Sequence, residues 1–155
     1  MAYEHTTVAV SKTQEGLRSL LRTHKGFGLA VISEQDPAGK DAALEGFQAK
    51  VMIDNVPYVF KIMAKVKAPS RYASDRQKSD FREQEERRIW RVLYYHMKSV
   101  FEASDSGVME FREMMLPYIV NPKTGKTIAQ YILPQLDAML LDPSRLLTEG
   151  SDNAK

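Results

Sequence analysis

The stretch DFREQEERRIWRVLYYHMKSVF, residues 80–101, is the longest segment of the chain with helical periodicity. Its first half is mostly charged, whereas its second half is mostly apolar or aromatic. This pattern predicts one long helix with a solvated first half and a buried second half, in which Trp90 is shielded from water. The apolar stripe of the second half consists of Ile89, Val92, Leu93, His96, Met97 and Val100.

This stripe needs an apolar partner surface, and a β-hairpin just before it supplies one. Residues 44–53 and 56–67 flank Asp54-Asn55, two residues that tolerate positive φ and suit a two-residue turn. Pro57 cannot donate a hydrogen bond to a neighbouring strand, so its strand is expected at an edge of the sheet. Pairing residues whose numbers sum to 109 puts one apolar set on a single face: Phe47, Ala49, Val51, Tyr58, Phe60 and Ile62.

Shorter sequence patterns predict further elements before the hairpin and after the long helix. Residues 6–10 are short and β-branched and predict a strand, and residues 28–34 predict another. Ser11 and Gln14 have the form of a capping box, which predicts that a helix starts there and lies between the two strands. After the long helix, the sequence predicts a short helix over 108–116, a turn at 121–125 and a last helix that Thr127 can cap.

Together these elements predict an α+β fold. Its small antiparallel sheet follows the order strand, helix, three strands, and packs under C-terminal helices led by residues 89–101. With 155 residues and 43% hydrophobic content, the chain is long enough for one ordinary core. We expect residues 1–140 to form a single globular domain and residues 141–155 to form a loose polar tail.

Composition argues against several classes of protein. The formal net charge is only +2, so overall charge does not favour nucleic acid or an anionic membrane as a partner. The absence of cysteine excludes disulfides, thiolate nucleophiles and cysteine-ligated metal sites. No secretory signal and no run of about 18 apolar residues is visible, so we expect a cytoplasmic protein without a membrane partner.

Motifs for catalysis or cofactor binding are weak, and no cofactor, metal or catalytic residue is predicted. Gly125-Lys126-Thr127 resembles the end of a phosphate-binding loop, but Val120 stands where that loop needs its first glycine. The three histidines (His5, His24 and His96) show no metal-ligand spacing. The run from Glu83 to Arg88 is interpreted as a solvated helix face. A dispersed hydrolase or nuclease site stays open, since such a site leaves no local signature.

Two basic groupings are the candidate binding residues. Lys50, Lys61 and Lys65 share the outer face of the hairpin, while Arg76 and Arg82 lie around the start of the long helix. Such groups can follow a phosphate backbone, although they can also form an ordinary solvated face. The outer face is expected to lack the exposed aromatic side chains on which single-stranded bases stack.

Three apolar residues lie among these lysines. Met52, Val59 and Met63 share the outer hairpin face. A strip of this kind is either covered by another part of the chain or used as an interface. We expect the short helix over 108–116 to cover it.

Several segments taken together resemble a family of small uncharacterised phage and prophage (mobile-element) proteins. They are SKTQEGLRSLL, the hairpin, RRIWRVLYYHMKSVFEASDSG, FREMMLPYIV and TGKTI. The resemblance implies an intracellular accessory protein and brings no catalytic residues with it. The expected function is non-enzymatic binding, with nucleic acid as the candidate partner. The alternative is a protein-interaction module that modulates a host or phage complex.

Overall fold

The computed structural model describes residues 3–35 and 43–140, and the predicted α+β class is confirmed. A three-stranded antiparallel sheet in the order β1-β2-β3 packs against helices. The predicted tail at residues 141–155 lies outside the described residues. The elements in chain order are α1 (Val10–Thr23), β1 (Gly26–Gln35), β2 (Ala43–Ile53), β3 (Val56–Val66), α2 (Asp75–Asp105), α3 (Phe111–Met115), a 3-10 helix (Leu116–Tyr118) and α4 (Ile128–Leu140).

The β2–β3 hairpin forms in the predicted register. Every pair from Ala43 with Val66 to Ile53 with Val56 sums to 109. Asp54 and Asn55 have φ values of 50° and 63°, the left-handed conformation that a type I′ turn requires at both positions. β3 pairs with β2 alone among the named strands, so Pro57 lies on an edge strand as expected.

The core lies between the inner face of this sheet and helices α1 and α2. Phe47 and Phe60 from the sheet meet Leu17 from α1 and Trp90 from α2, and all four side chains are buried. Trp90 is 0% exposed, which confirms its predicted shielding. Its indole N–H donates to Glu45 Oε1 at 2.7 Å, so burial leaves this polar group with a partner.

Helix α2 begins at Asp75, five residues before the stretch at residues 80–101. Ser74 caps it, because its hydroxyl accepts the Gln77 N–H while the Gln77 side chain accepts the Ser74 N–H. The helix ends at Asp105, and Gly107 follows with a φ of +73°. Ile89, Trp90, Leu93, Met97, Val100 and Phe101 are its buried apolar residues. Val92 and His96 are exposed, because the helix turns Trp90 and Phe101 toward the sheet instead.

The charged half of α2 is less solvated than predicted. Glu85 is 5% exposed, which corrects its interpretation as part of a solvated face. Its carboxylate accepts hydrogen bonds from the backbone N–H of Lys67 at 3.2 Å and from Arg88 Nη2 at 2.6 Å. Burial of this charge is therefore compensated by a paired guanidinium and a backbone donor. Glu83 on the same half is exposed, as expected.

The predicted strand at residues 6–10 is wrong. Residues 6–9 have no regular secondary structure, and Val10 already belongs to α1. Gln84 Nε2 donates to the carbonyl oxygens of Glu4 and Thr6 at 2.8 and 3.0 Å, which ties this segment to α2 rather than to a strand. The capping box predicted at Ser11 is also wrong, since Ala9 holds the N-cap position without a side-chain hydrogen bond.

The described part of the segment after α2, residues 106–140, does not cover the outer face of the sheet, which corrects the expectation for the helix over 108–116. α3 lies at the core, where Phe111 packs against Phe60 and stacks on Phe101. Ile119 and Val120 then run along the edge of β3, and the Val120 N–H donates to the Val59 carbonyl at 2.8 Å. Thr127 caps α4 in a reciprocal pair of hydrogen bonds with Gln130, as its position predicted.

Candidate nucleic-acid interface

The outer face of the sheet is the side turned away from α1 and α2. Its side chains follow from the strand register, and none of them is buried. A sheet face on which both cations and apolar groups are open to solvent is typical of a binding surface. The side chains of the outer face are those of Phe27, Ala30, Ile32, Glu34, Leu44, Gln48, Lys50, Met52, Val59, Lys61, Met63 and Lys65.

Phe27 places an aromatic ring on this face, where the sequence suggested none. It pairs with Lys50 across β1 and β2, and 47% of its surface is exposed. The register shifts between Phe27 and Ala30, because β1 contains one extra residue there. Gly28 in this bulge has a φ of +65°, a conformation that glycine adopts without strain. The bulge turns Phe27 to the outer face, whereas simple alternation from Ala30 would turn it inward.

The three predicted lysines share the outer face but differ in their partners. Lys61 Nζ lies 2.7 Å from Glu34 Oε1, and its side chain is only 17% exposed. Lys50 and Lys65 are exposed and make no ion pair with another described residue. Lys50 lies in a row between Phe27 and Val59. Two of the three lysines are therefore available to a ligand, and one of these is beside an aromatic ring.

A basic groove of about 600 Å³ opens where β3 ends and α2 begins. Arg82 lines it, as do Lys67, Arg71 and Lys78. Glu45 and Arg82 place the groove on the α2 side of the sheet, and Leu44 of the outer face also lines it, so the groove reaches the end of the outer face. Arg76 is exposed on the first turn of α2 and does not line the groove. The structure therefore brings Arg82, but not Arg76, into a site with other cations.

Two carboxyl groups at this groove reduce its positive charge only in part. Glu45 and Glu86 both line it. Burial raises the pKa of Glu86, and the neighbouring Glu45 raises it further by charge repulsion and by a shared hydrogen bond. The lining holds four cations against these two acids, so the groove keeps a net positive charge.

A second exposed aromatic ring stands beside the groove. Tyr72 is 82% exposed. The guanidinium of Arg71 lies 4.8 Å from the centre of its ring and donates to its hydroxyl at 2.6 Å. An exposed ring with a cation on one side offers its other side to a planar partner such as a base. The sequence signal for this pair is the dipeptide Arg71-Tyr72 in a loop between two elements.

The other sequence motifs have structural roles. His24 bonds Asp105 Oδ2 at 2.8 Å and the Leu20 carbonyl at 2.9 Å, and it stacks on Phe101, as a satisfied boundary histidine does. Gly125 ends a turn with a φ of +69°. Within residues 3–35 and 43–140, no helix has the length and apolar character needed to cross a bilayer.

Comparison with protein-family models, with curated proteins and with solved structures found no match in any of the three sets.

Proposed function

We propose that the chain binds single-stranded nucleic acid, without catalysing a reaction, along the outer face of its sheet and into the basic groove. The observation that carries this proposal is the pairing of Phe27 with Lys50 across β1 and β2, on a sheet face that no described element covers. Sequence-tolerant binding of single strands combines cations that follow the backbone with aromatic rings on which bases stack. Phe27 and Tyr72 are the rings in this arrangement, and each lies beside a cation.

Single strands fit this surface better than duplexes do. A stacking ring needs an unpaired base that can leave its neighbours, and a duplex offers none. Lys50 and Lys65 lie at opposite ends of the outer face, six residues apart in strand register because Lys50 pairs with Val59. At ~3.3 Å per residue their spacing is about 20 Å, enough for several nucleotides. Lys61 has a smaller role in this proposal, because Glu34 holds its ammonium group.

A cytoplasmic location and a phage-type accessory role belong to the same proposal. They are supported by the cysteine-free sequence and by the resemblance of its segments to phage and prophage proteins. Neither is needed for the binding surface itself.

Fluorescence anisotropy with labelled oligonucleotides tests the proposal. We expect binding to a single strand at low salt with a dissociation constant of about 10 µM or tighter, and weaker binding to a duplex of the same length. Changing Lys50 and Lys65 together to Gln should weaken binding to all sequences. The dependence of log K on log salt should flatten by about 1.4, as expected for two lost phosphate contacts to a single strand.

Phe27→Ala should weaken binding at every salt concentration by roughly 1–3 kcal/mol without changing the salt slope, since stacking releases no counterions. The matched control changes Lys12 and Lys98, which lie on α1 and α2, to Gln. It removes the same charge from the other side of the sheet and should leave the affinity nearly unchanged. Absence of any signal at about 100 µM protein and low salt would rule the proposal out.

The alternative, a protein-interaction module, is favoured by a different observation. Helix α4 has no buried residue, although most of its side chains are apolar. An uncovered apolar helix is typical of an interface with another protein.

A further inference from the structure

Helix α4 carries an exposed apolar stripe. Its members recur at spacings of three and four residues, which places them within one side of the helix. Tyr131, Asp137 and Ala138 lie outside that side. The stripe consists of Ala129, Ile132, Leu133, Leu136, Met139 and Leu140.

No described part of the chain covers this stripe. Its five large side chains are 39–62% exposed, although side chains of this kind are normally among the most buried. By contrast, the start of α4 is fixed to the body of the protein. The Ile128 N–H donates to the Ile119 carbonyl at 2.9 Å, and Ile119 pairs with Phe60 of β3. The stripe is therefore held in place and open to a partner.

We infer that a second copy of this chain covers the stripe, with the two α4 helices packed antiparallel about a two-fold axis. Ala129, Ile132, Leu136 and Met139 follow the three-and-four spacing of a coiled-coil contact. In an antiparallel pair centred between Ile132 and Leu136, each of these two residues faces the other across the axis. Ala129 then faces Met139, so that a small side chain opposes a long, adaptable one. The stripe is therefore complementary to itself, as a two-fold interface requires.

The area available fits a weak dimer. The exposed surface of the five large side chains is on the order of 500 Å² per copy, so two facing stripes bury roughly 1,000 Å², near the lower limit for a specific interface. Charge does not oppose the pairing. The stripe itself has no charged residue, and the net charge of the chain is only +2. Antiparallel packing also places the two helix dipoles in opposite directions, which is the favourable arrangement.

Pro134 does not interfere with this interface. By helical spacing it lies on the side of α4 away from the stripe, and the helix continues through it from Ile128 to Leu140. This inference is independent of the proposed nucleic-acid surface, because it uses α4 alone. Either one can therefore fail without the other.

Sedimentation velocity over about 5–500 µM full-length protein tests the inference. We expect a reversible monomer–dimer equilibrium with a dissociation constant on the order of 10–100 µM. Leu136→Glu places a charge in the stripe and should weaken dimerisation at least tenfold. Ala138→Glu adds the same charge on the opposite side of α4 and should leave it within about twofold. Because both positions are exposed, both variants should keep the circular dichroism spectrum of the parent.

Disulfide trapping tests the orientation, since the chain has no cysteine of its own. Chains carrying Ile132→Cys and chains carrying Leu136→Cys are mixed and mildly oxidised. Antiparallel packing predicts that the mixed disulfide forms faster than either disulfide between identical chains. Faster trapping of identical chains would overturn the antiparallel arrangement. A monomer at about 500 µM, or a dimer that Leu136→Glu does not weaken, would overturn the inference as a whole.

Discussion

Helices α2 and α4 carry the same kind of apolar stripe, yet they lie in opposite environments. In α2, Leu93 and Met97 are at most 4% exposed, whereas in α4 Leu136 and Met139 are at least 39% exposed. The difference comes from the neighbours. The inner face of the sheet covers α2, while no described element covers the stripe of α4. A stripe therefore predicts that a helix needs a partner, but it does not say whether the partner belongs to the same chain.

Truncating one large side chain in each helix gives the largest contrast. Trp90→Ala removes a side chain that is 0% exposed and leaves Glu45 without its indole donor, so we expect a loss of ~3–5 kcal/mol in unfolding free energy. Leu136→Ala, in the exposed stripe, should cost less than about 1 kcal/mol. Chemical denaturation followed by far-UV circular dichroism, at a protein concentration of about 1 µM to avoid dimers, measures both. Equal losses would show that α4 belongs to the core.

Two glutamates on α2 give a second contrast between a buried and an exposed side chain, with smaller expected losses of stability. Glu85→Gln weakens the bonds to Arg88 and to the Lys67 N–H, and it should cost about 1–3 kcal/mol at neutral pH. Glu83→Gln removes an exposed partner of Arg87 and should change stability by less than about 0.5 kcal/mol. The Arg88 hydrogen bond lowers the pKa of Glu85 despite its burial. Its contribution should therefore be present at neutral pH and disappear as the pH falls through that lowered pKa.

The hydrogen bond between His24, just after α1, and Asp105, at the end of α2, should have the smallest effect on the free energy of unfolding. This effect depends on pH. Burial lowers the pKa of His24, but the hydrogen bonds to Asp105 and Leu20 and the charge of Asp105 outweigh it, so the pKa is raised. Stability from the charged histidine is therefore present below about pH 6.5, the ordinary value, and lost as the pH rises through the raised pKa.

Asp105→Asn tests this linkage. The variant should be less stable than the parent by up to about 1 kcal/mol at pH ~5.5 and by much less at pH ~8.5, because Asp105 is largely exposed. Urea denaturation at the two pH values measures the difference. A loss of the same size at both would show that the charge of His24 has no part in it.

The hairpin could be predicted from the sequence because its signals are local. A two-residue turn with positive φ and strict alternation of apolar residues determine the register without knowledge of the rest of the chain. The buried half of α2 was predictable for the same reason. The class of partner was not, because solvated lysines and ligand-binding lysines have the same sequence pattern.

The sequence predictions were wrong where one distant contact or one extra residue determines the local structure. The bulge at Gly28 inverts the side on which Phe27 lies, and only a glycine within a strand hinted at it. The carbonyl oxygen of Thr6, at the start of the wrongly predicted strand, accepts a hydrogen bond from Gln84, a partner 78 residues away that no local pattern indicates. Glu85 differs from Glu83 only in its position around the helix. Glu85 is buried because it faces the end of β3, where the Lys67 N–H donates to its carboxylate.

Titration of the isotope-labelled protein with a single strand of about 10 nucleotides, followed by amide NMR shifts, tests the proposed function most directly. The proposal predicts shifts concentrated on the outer face and the groove, at Phe27, Lys50, Lys65, Tyr72 and Arg82, with little change in α4. Absence of shifts, or shifts confined to α4, would contradict it.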